Sequence, residues 1–227
     1  MAKDVRGLGA ADIPHREPRR VGSRYMPAHP TLDHLVVATA DLAAGSAQLE
    51  RLLGCPLEPG GRHTDYGTHN RLVSLGPSGY LELVAPDAAA TPPRTRWFEL
   101  DTPAMRARLA RGPALVHWVV RVASLAGVAG VRELSRGAAR WALTVPDDGS
   151  LPLGGVAPSL IEWHTPPPAL SLPDRGIRLR ELELTTPCTT ALAARLAGVE
   201  APWRVRRGPT GLRARLTTPR GEIDVAG

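Results

Sequence analysis

Two histidines and two glutamates stand out because each lies in a short apolar run. His34 lies in Leu-Asp-His-Leu-Val-Val and Glu82 in Tyr-Leu-Glu-Leu. His117 and Glu162 lie in His-Trp-Val-Val and Leu-Ile-Glu-Trp. Because successive side chains of a strand point to opposite faces, the spacing predicts that His34 and Glu82 share one face of a sheet. The same reasoning predicts that His117 and Glu162 share the corresponding face of a second unit.

This set of side chains suits a metal ion. Two imidazoles and two carboxylates can bind a borderline divalent ion, and residue types alone do not choose among Zn²⁺, Fe²⁺, Mn²⁺, Co²⁺ and Ni²⁺. A single histidine on a strand is more often solvated or already satisfied, but its repetition in both units favours a site. We therefore expect a divalent metal held by His34, Glu82, His117 and Glu162. His164, two residues beyond Glu162, is an alternative or additional ligand.

Further polar residues surround this predicted site. In the run Gly-Thr-His-Asn-Arg, Asn70 or Arg71 is expected to hold a substrate carboxylate or carbonyl, with His69 as proton carrier or extra ligand. The pattern does not decide whether His69 or Asn70 faces inward, and a hydrogen-bonded turn explains the run equally well. Arg121 either offsets substrate charge or lies at a solvated strand end. Tyr80 is expected to shape the pocket, and the residues that could form its rim are His63 and Tyr66.

Three stretches of the chain share one order of predicted elements. A strand begins at Thr31, and a helix from Leu42 to Leu53 follows, capped by Asp41 and ended by Gly54. Three further strands, near residues 62–66, 70–75 and 80–85, complete a βαβββ unit. The second unit has strands at 115–122, 139–145, within 151–156 and at 159–165, and a helix at 124–134. The third has strands at 177–186, 204–207, 212–217 and 222–225, and a helix at 189–196.

The predicted organisation has five segments. Residues 1–28 form a disordered basic segment, 29–87 the first unit, 88–113 a helical connector, 114–167 the second unit, and 168–227 a third, partial one. The connector helix begins at Asp101 or Thr102. The third unit has Glu181 and Asp224 where the first has His34 and Glu82, so it is expected to be structural.

A histidine in the first strand and a glutamate in the fourth of paired βαβββ units resemble the metal site of glyoxalase I and its vicinal oxygen chelate relatives. The resemblance is carried over residues 30–220 by the runs at 32–37, 67–72, 80–83, 117–120, 148–152 and 160–163. It is strongest to the glyoxalase-like subfamily. It implies an α+β fold in which the two units form a cup-shaped mixed sheet around the ion.

The resemblance also implies a function. The ion would chelate a small oxygenated substrate and stabilise an enediolate-like intermediate, with Glu162 or Glu82 as the base of an isomerase or lyase. One alternative is a metal-free protein that binds or sequesters a small molecule. Another is an extradiol-type Fe²⁺ dioxygenase that uses His34, His117 and Glu162.

Composition narrows the class of protein. The 227 residues are 43% hydrophobic, enough for a core, and no run approaches the roughly 18 apolar residues that cross a membrane. The net charge of +6 is concentrated near both chain ends, so nucleic acid is not expected. Cys55 and Cys188 form no disulfide framework. We expect a cytoplasmic monomer or homodimer that acts on a small-molecule substrate, and Met26 is a second candidate for the start of translation.

Overall fold

The computed structural model describes residues 27–227. The segment predicted to be disordered lies outside the described residues except for its last two positions, and so does the proposed start at Met26. The described residues form an eight-stranded sheet, a four-stranded sheet and three α-helices. Within them, no helix is long and apolar enough to cross a membrane.

The first sheet contains two halves of four strands each. Its strands are β1 (Thr31–Ala38), β2 (Glu58–His63), β3 (Thr68–Ser74), β4 (Tyr80–Pro86), β5 (Ala114–Arg121), β6 (Val131–Arg136), β7 (Ala139–Thr144) and β8 (Ser159–Trp163). Their order is β2-β3-β4-β1-β5-β8-β7-β6, with β1 and β5 antiparallel at the centre. Because the edge strands β2 and β6 also contact each other, the sheet curls into a nearly closed cup. The predicted α+β fold with a cup-shaped mixed sheet is confirmed.

Helix α1 (Leu42–Leu53) has both of its predicted ends. The Asp41 carboxylate accepts a hydrogen bond from the Ala44 N–H, and Gly54 ends the helix with φ 77°. Leu49 and Leu53 pack with Leu35 on the convex side of the sheet. Leu35 therefore faces the helix, and its neighbour His34 points to the other side of the sheet.

The second half of the cup differs from the predicted βαβββ order. The predicted helix at 124–134 is wrong: a loop leads into β6, and Gly127 and Gly130 within it have φ of 79° and 73°. These left-handed positions interrupt the stretch that was predicted to be a helix. The predicted strand within 151–156 is also wrong. It is a short 3₁₀ turn in which Leu153 has φ 48°.

The third unit has the predicted element order but a different strand order. It consists of β9 (Arg178–Thr186), α3 (Thr189–Arg195), β10 (Trp203–Arg207), β11 (Gly211–Thr218) and β12 (Gly221–Ala226). The sheet order is β10-β9-β11-β12, so the first strand pairs with the second and third. In the first unit, β1 pairs with the fourth strand instead. The third unit is thus not a repeat of the first.

The C-terminal sheet covers the convex face that the second half leaves without a helix. Trp118 and Val120 of β5 are fully buried there, in one apolar cluster with Leu182, Leu212 and Leu216 of the C-terminal sheet. An apolar sheet face must be covered by another layer. The C-terminal sheet therefore takes the place of the missing helix.

The concave face is closed by an aromatic segment between β4 and helix α2 (Pro103–Leu109). Trp97 and Phe98 pack among concave-face side chains, and Phe98 and Glu99 have φ of 60° and 58°. The Glu99 N–H donates to the Gly149 carbonyl, and its carboxylate accepts from the Leu151 N–H. A Cβ at Gly149 would lie 2.2 Å from the Arg96 carbonyl oxygen, so this close approach requires glycine. Because Phe98 and Glu99 are two consecutive non-glycine residues with left-handed backbone conformation, the segment is strained.

Candidate functional site

A β-bulge in β1 directs two adjacent polar side chains to the concave face. The pairing with β5 shifts register between Leu32 and His34. As a result, Asp33 contacts Trp163 on the concave side, and His34 lines the concave cavity. His34 Nδ1 donates to Asp33 Oδ1 at 2.7 Å, because a carboxylate oxygen accepts.

The carboxylate of Asp33 is fully buried, and its charge is compensated by Arg121. Its Oδ2 accepts from Trp163 Nε1 at 2.9 Å and lies 3.0 Å from Arg121 Nε, which is out of line for a hydrogen bond. Arg121 Nη2 donates to the Ser78 carbonyl at 2.5 Å. The charge of Arg121 is therefore used inside the protein, and Arg121 does not line the cavity as a substrate contact.

His34 and Glu82 meet on the concave face. His34 Nε2 lies 3.7 Å from Glu82 Oε2, and Asn70 Nδ2 donates to Glu82 Oε1 at 2.5 Å. The Tyr80 ring stacks on the His34 ring with 4.7 Å between centroids. Burial, followed by the charges of Asp33 and Glu82, raises the pKa of Tyr80 well above its ordinary value, so the phenol stays neutral.

Arg136 reaches this group from the opposite edge of the sheet. Its Nη1 lies 3.2 Å from His63 Nε2 and donates to Asn70 Oδ1 at 3.1 Å. Burial lowers the pKa of His63 to about 4, and the charge of Glu82 offsets only part of that shift. His63 is therefore neutral at pH 7, and its Nε2 accepts from Arg136. Arg136 was not among the predicted site residues, because most of its strand was predicted to belong to a helix at 124–134. The turn at Gly137, between two short strands, was the available signal.

The cavity between these residues is small. Its volume is about 30 Å³, which suits one or two water molecules. Polar and aromatic side chains share its wall, and they are His34, His63, Asn70, Tyr80, Glu82, Trp97, Phe98, Arg136, Trp141, Leu143, Ile161 and Trp163.

Register shows which residue of the second half corresponds to Glu82. His34 pairs with Val119 across β1 and β5, and His117 pairs with Val36, so the two histidines are related by a local twofold axis. Val36 pairs with Glu82 in β4. By the same relation, Val119 pairs with Ser159 in β8. Ser159, and not Glu162, stands where the first half has its glutamate.

His117 uses both of its ring nitrogens within the protein. Its Nδ1–H donates to the Gly155 carbonyl at 3.1 Å, and its Nε2 accepts from the Ser159 N–H at 3.1 Å and lies 2.9 Å from Ser159 Oγ. The side chain is fully buried, and burial lowers the pKa of His117 to about 4. His117 does not line the cavity.

Glu162 lies outside the cup. Its neighbours Ile161 and Trp163 line the cavity, so alternation along β8 sends Glu162 to the other face. There its carboxylate accepts from the Leu125 N–H at 2.7 Å. His164 lies on that same face, 3.1 Å from Glu133. The expected position of Glu162 beside the metal is thereby corrected.

The remaining predicted residues divide between the two faces of the sheet. Asn70 faces the cavity, so its neighbours His69 and Arg71 point away from it. Arg71 Nη1 reaches the Leu57 carbonyl at 3.5 Å. Tyr66 stacks on Trp97 with 4.2 Å between ring centroids, behind the aromatic segment. Of the expected substrate contacts, the cavity wall includes Asn70 and Tyr80.

A comparison with protein families assigns the chain. Residues 32–200 match the family model for the glyoxalase-like domain, which covers well over half of the chain. The chain belongs to this family. The resemblance to glyoxalase-like proteins of the vicinal oxygen chelate superfamily is therefore confirmed. No curated protein matches this glyoxalase-like chain.

Solved structures show a distant likeness to this glyoxalase-like protein. A hypothetical protein from Staphylococcus aureus shares 13% identity with a TM-score of 0.48, over 87% of this chain and 84% of that one. Methylmalonyl-CoA epimerase from Mycobacterium tuberculosis shares 22% with a TM-score of 0.37, over 58% and 85%. The Streptomyces coelicolor epimerase in complex with 2-nitronate-propionyl-CoA shares 21% with a TM-score of 0.37, over 60% and 95%.

The predicted metal can be tested against the donors around the cavity. Protein zinc sites use three or four converging side chains, and an Fe²⁺ facial triad uses two histidines and one carboxylate. Here His34 and Glu82 converge, while His117 and Glu162 bind elsewhere. Within residues 27–227, no three His, Cys, Asp or Glu side chains are arranged to hold an ion. The donors described here therefore do not fit the predicted four-ligand site or the dioxygenase triad.

Removal of metal gives a direct test. Dialysis against a chelator is expected to leave the melting temperature of the protein unchanged, because two converging donors contribute little metal affinity to the folded state. Calorimetry before and after dialysis, with Zn²⁺, Ni²⁺ or Mn²⁺ added back, measures this. If dialysis lowers the melting temperature, and one of these ions restores it in the wild type but not in His34→Ala, a metal site forms.

Proposed function

We propose that the cup is an active site in which His34 and Glu82 move a proton within a small oxygenated substrate, in a reaction of the isomerase or lyase type. The observation that carries this proposal is that both side chains face one cavity, and each is oriented by its own partner. Asp33 orients His34, and Asn70 orients Glu82. Proton transfer by positioned side chains of this kind is general acid–base catalysis.

His34 has the arrangement expected of a base. Its hydrogen bond to Asp33 places a hydrogen on Nδ1, so Nε2 carries the lone pair in the neutral ring. A buried carboxylate behind a histidine holds the ring in this tautomer and stabilises the charge that forms when Nε2 takes a proton. Stacking with Tyr80 restricts the ring further. His34 Nε2 can thus accept a proton from a substrate in the cavity.

Glu82 complements His34. Asn70 holds Oε1 and leaves Oε2 directed toward the imidazole. The 3.7 Å between Oε2 and Nε2 is too long for a good direct hydrogen bond, so a substrate atom that lies beside both can form a hydrogen bond to each. One group can take the proton of the hydroxyl-bearing carbon, which leaves an enediolate, and return it to the neighbouring carbon, while the other carries the hydroxyl proton from one oxygen to the other. This sequence isomerises a hydroxy-carbonyl compound.

Substrate entry requires movement of the aromatic segment. The cavity of about 30 Å³ is too small for a metabolite, and Trp97 and Phe98 form one of its walls. On the other side of the Tyr66–Trp97 stack lies a larger cavity of about 290 Å³, lined by Arg94, Arg132 and others. Outward movement of the strained segment would join the two spaces. The Trp97 Nε1–H, buried without a partner among the described residues, would then become available to a ligand.

Proton exchange in D₂O tests the proposal. The protein is incubated with dihydroxyacetone, glyceraldehyde, lactate or pyruvate, and NMR follows replacement of carbon-bound hydrogen by deuterium. We expect exchange in at least one compound with the wild type, slowed about 100-fold or more in Glu82→Gln and in His34→Asn. Metal-free buffer is used throughout.

Matched controls use the same residue types outside the cavity. His69→Asn and Glu162→Gln change side chains that point away from the cup, and both should exchange at the wild-type rate. Equal rates in all four variants would contradict the assignment of His34 and Glu82. Retention of a compound without exchange would indicate the metal-free binding protein instead.

A further inference from the structure

Arg136 lies where the sheet nearly closes. It ends β6, one edge of the eight-stranded sheet, and its side chain crosses to the other edge, where it contacts His63 and Asn70. A Cβ at Gly61 would lie 2.5 Å from Arg136 Cδ. The glycine in β2 therefore leaves the space through which this side chain enters the cup.

The charge of Arg136 has neutral partners. Its two hydrogen-bonded contacts are the neutral His63 ring and the Asn70 amide, and both use Nη1. Among the ion pairs formed by residues 27–227, none within 4.0 Å includes Arg136, whereas Arg132 of the same strand pairs with Asp147. The connection to Glu82 runs through the Asn70 amide. Nη2 and Nε have no hydrogen bond within the described part of the chain and can bind an anion.

Arginine suits one kind of anion in particular. A guanidinium presents parallel N–H groups that match the two oxygens of a carboxylate. One amide side chain separates Arg136 from Glu82, and Glu82 faces His34. A carboxylate held by Arg136 would thus place the next one or two carbons of its chain near the proton-carrying pair.

We propose that Arg136 is a specificity-determining residue that binds the carboxylate of the substrate, so that the cup takes a small carboxylic acid with an oxygen near the reacting carbon. This inference rests on the proposed function of His34 and Glu82 only for the end of the substrate that reacts. Binding of the carboxylate end depends on Arg136 and is measured separately.

The test compares an acid with its neutral amide. Lactate and lactamide, and pyruvate and pyruvamide, are titrated into the full-length protein while the fluorescence of the cavity tryptophans is followed, with NMR saturation transfer as a second readout. For the wild type we expect an acid to bind at least tenfold more tightly than its amide. Arg136→Gln should reduce this preference at least tenfold, and Arg136→Lys should retain part of it.

Arg140→Gln is the matched control. It removes an exposed arginine of the neighbouring strand β7 whose side chain points away from the cup, because the next residue, Trp141, lines the cavity, so the preference for acid should remain. Equal binding of acid and amide, equal effects of Arg136→Gln and Arg140→Gln, or no binding of any acid at tens of millimolar would each overturn the proposal. Glu82→Gln separates the two proposals. If this variant still binds the acid and exchanges carbon-bound hydrogen at the wild-type rate, proton transfer by Glu82 is refuted while carboxylate binding by Arg136 is not.

Discussion

Replacing Asp33 with alanine is expected to lower the free energy of unfolding by about 3–5 kcal/mol. The Asp33 side chain is fully buried and faces Arg121, which is 9% exposed. Without Asp33, Arg121 keeps its contact to the Ser78 carbonyl but becomes a buried charge without a counterion. Trp163 Nε1 and His34 Nδ1 lose their acceptor as well. Urea unfolding followed by circular dichroism measures the change.

A second aspartate–arginine pair is the control. Asp147 pairs with Arg132, but its side chain is 77% exposed, so Asp147→Ala should cost less than about 1 kcal/mol. Adding Arg121→Met to Asp33→Ala removes the orphaned charge and should restore part of the lost stability. Equal losses for Asp33→Ala and Asp147→Ala would show that the buried network does not stabilise the fold.

Acid is expected to destabilise the protein steeply between pH 6.5 and 4. Burial lowers the pKa of both His63 and His117 to about 4 in the fold, against an ordinary value of 6.5. Below pH 6.5 the unfolded chain therefore takes up two protons that the folded chain does not, and stability present at higher pH is lost as pH falls toward 4. Each histidine accounts for about 3 kcal/mol over this window. Both accept a hydrogen bond at Nε2, which protonation would abolish.

Single and double histidine variants separate the contribution of His63 and His117 to the pH dependence of stability from the contribution of the carboxylates. The free energy of unfolding is measured by urea titration at several pH values between 7.5 and 4.5. The two histidines contribute up to about 2.7 kcal/mol per pH unit to the slope near pH 5. His63→Gln and His117→Gln should each remove about half of that contribution, and the double variant all of it. A double variant with the wild-type slope would contradict the assignment.

Local patterns predicted much of the first half of the cup. The caps at Asp41 and Gly54 act within one helical turn, so the helix ends could be predicted from neighbouring residues. Alternation along two strands was enough to place His34 and Glu82 on one face, because β1 and β4 lie side by side and in register. The same alternation directs Leu35 to the convex face, where it packs against helix α1.

Alternation failed where a strand departs from a regular pleat. The bulge in β1 turns Asp33 to the same side as His34. A second register shift, at Val116 of β5, puts that residue in the concave core, whereas strict alternation would place it on the convex side with Trp118. These bulges arise from the pairing of β1 with β5, so neither strand shows them alone. The choice between Ser159 and Glu162 depends likewise on the register of β8 against β5.

The sequence by itself determined the family, the cup and the pair His34 and Glu82, because motifs, alternation and caps are local in the chain. Only the tertiary structure decided what surrounds that pair. Closure of the sheet brings Arg136 to Asn70, 66 positions away in the chain, and the C-terminal sheet replaces a helix that the second half lacks. Such contacts depend on strand order and register, which side-chain patterns within one strand do not encode. The expected four-ligand metal site depended on the same long-range pairing, and the described structure brings two of its four residues together.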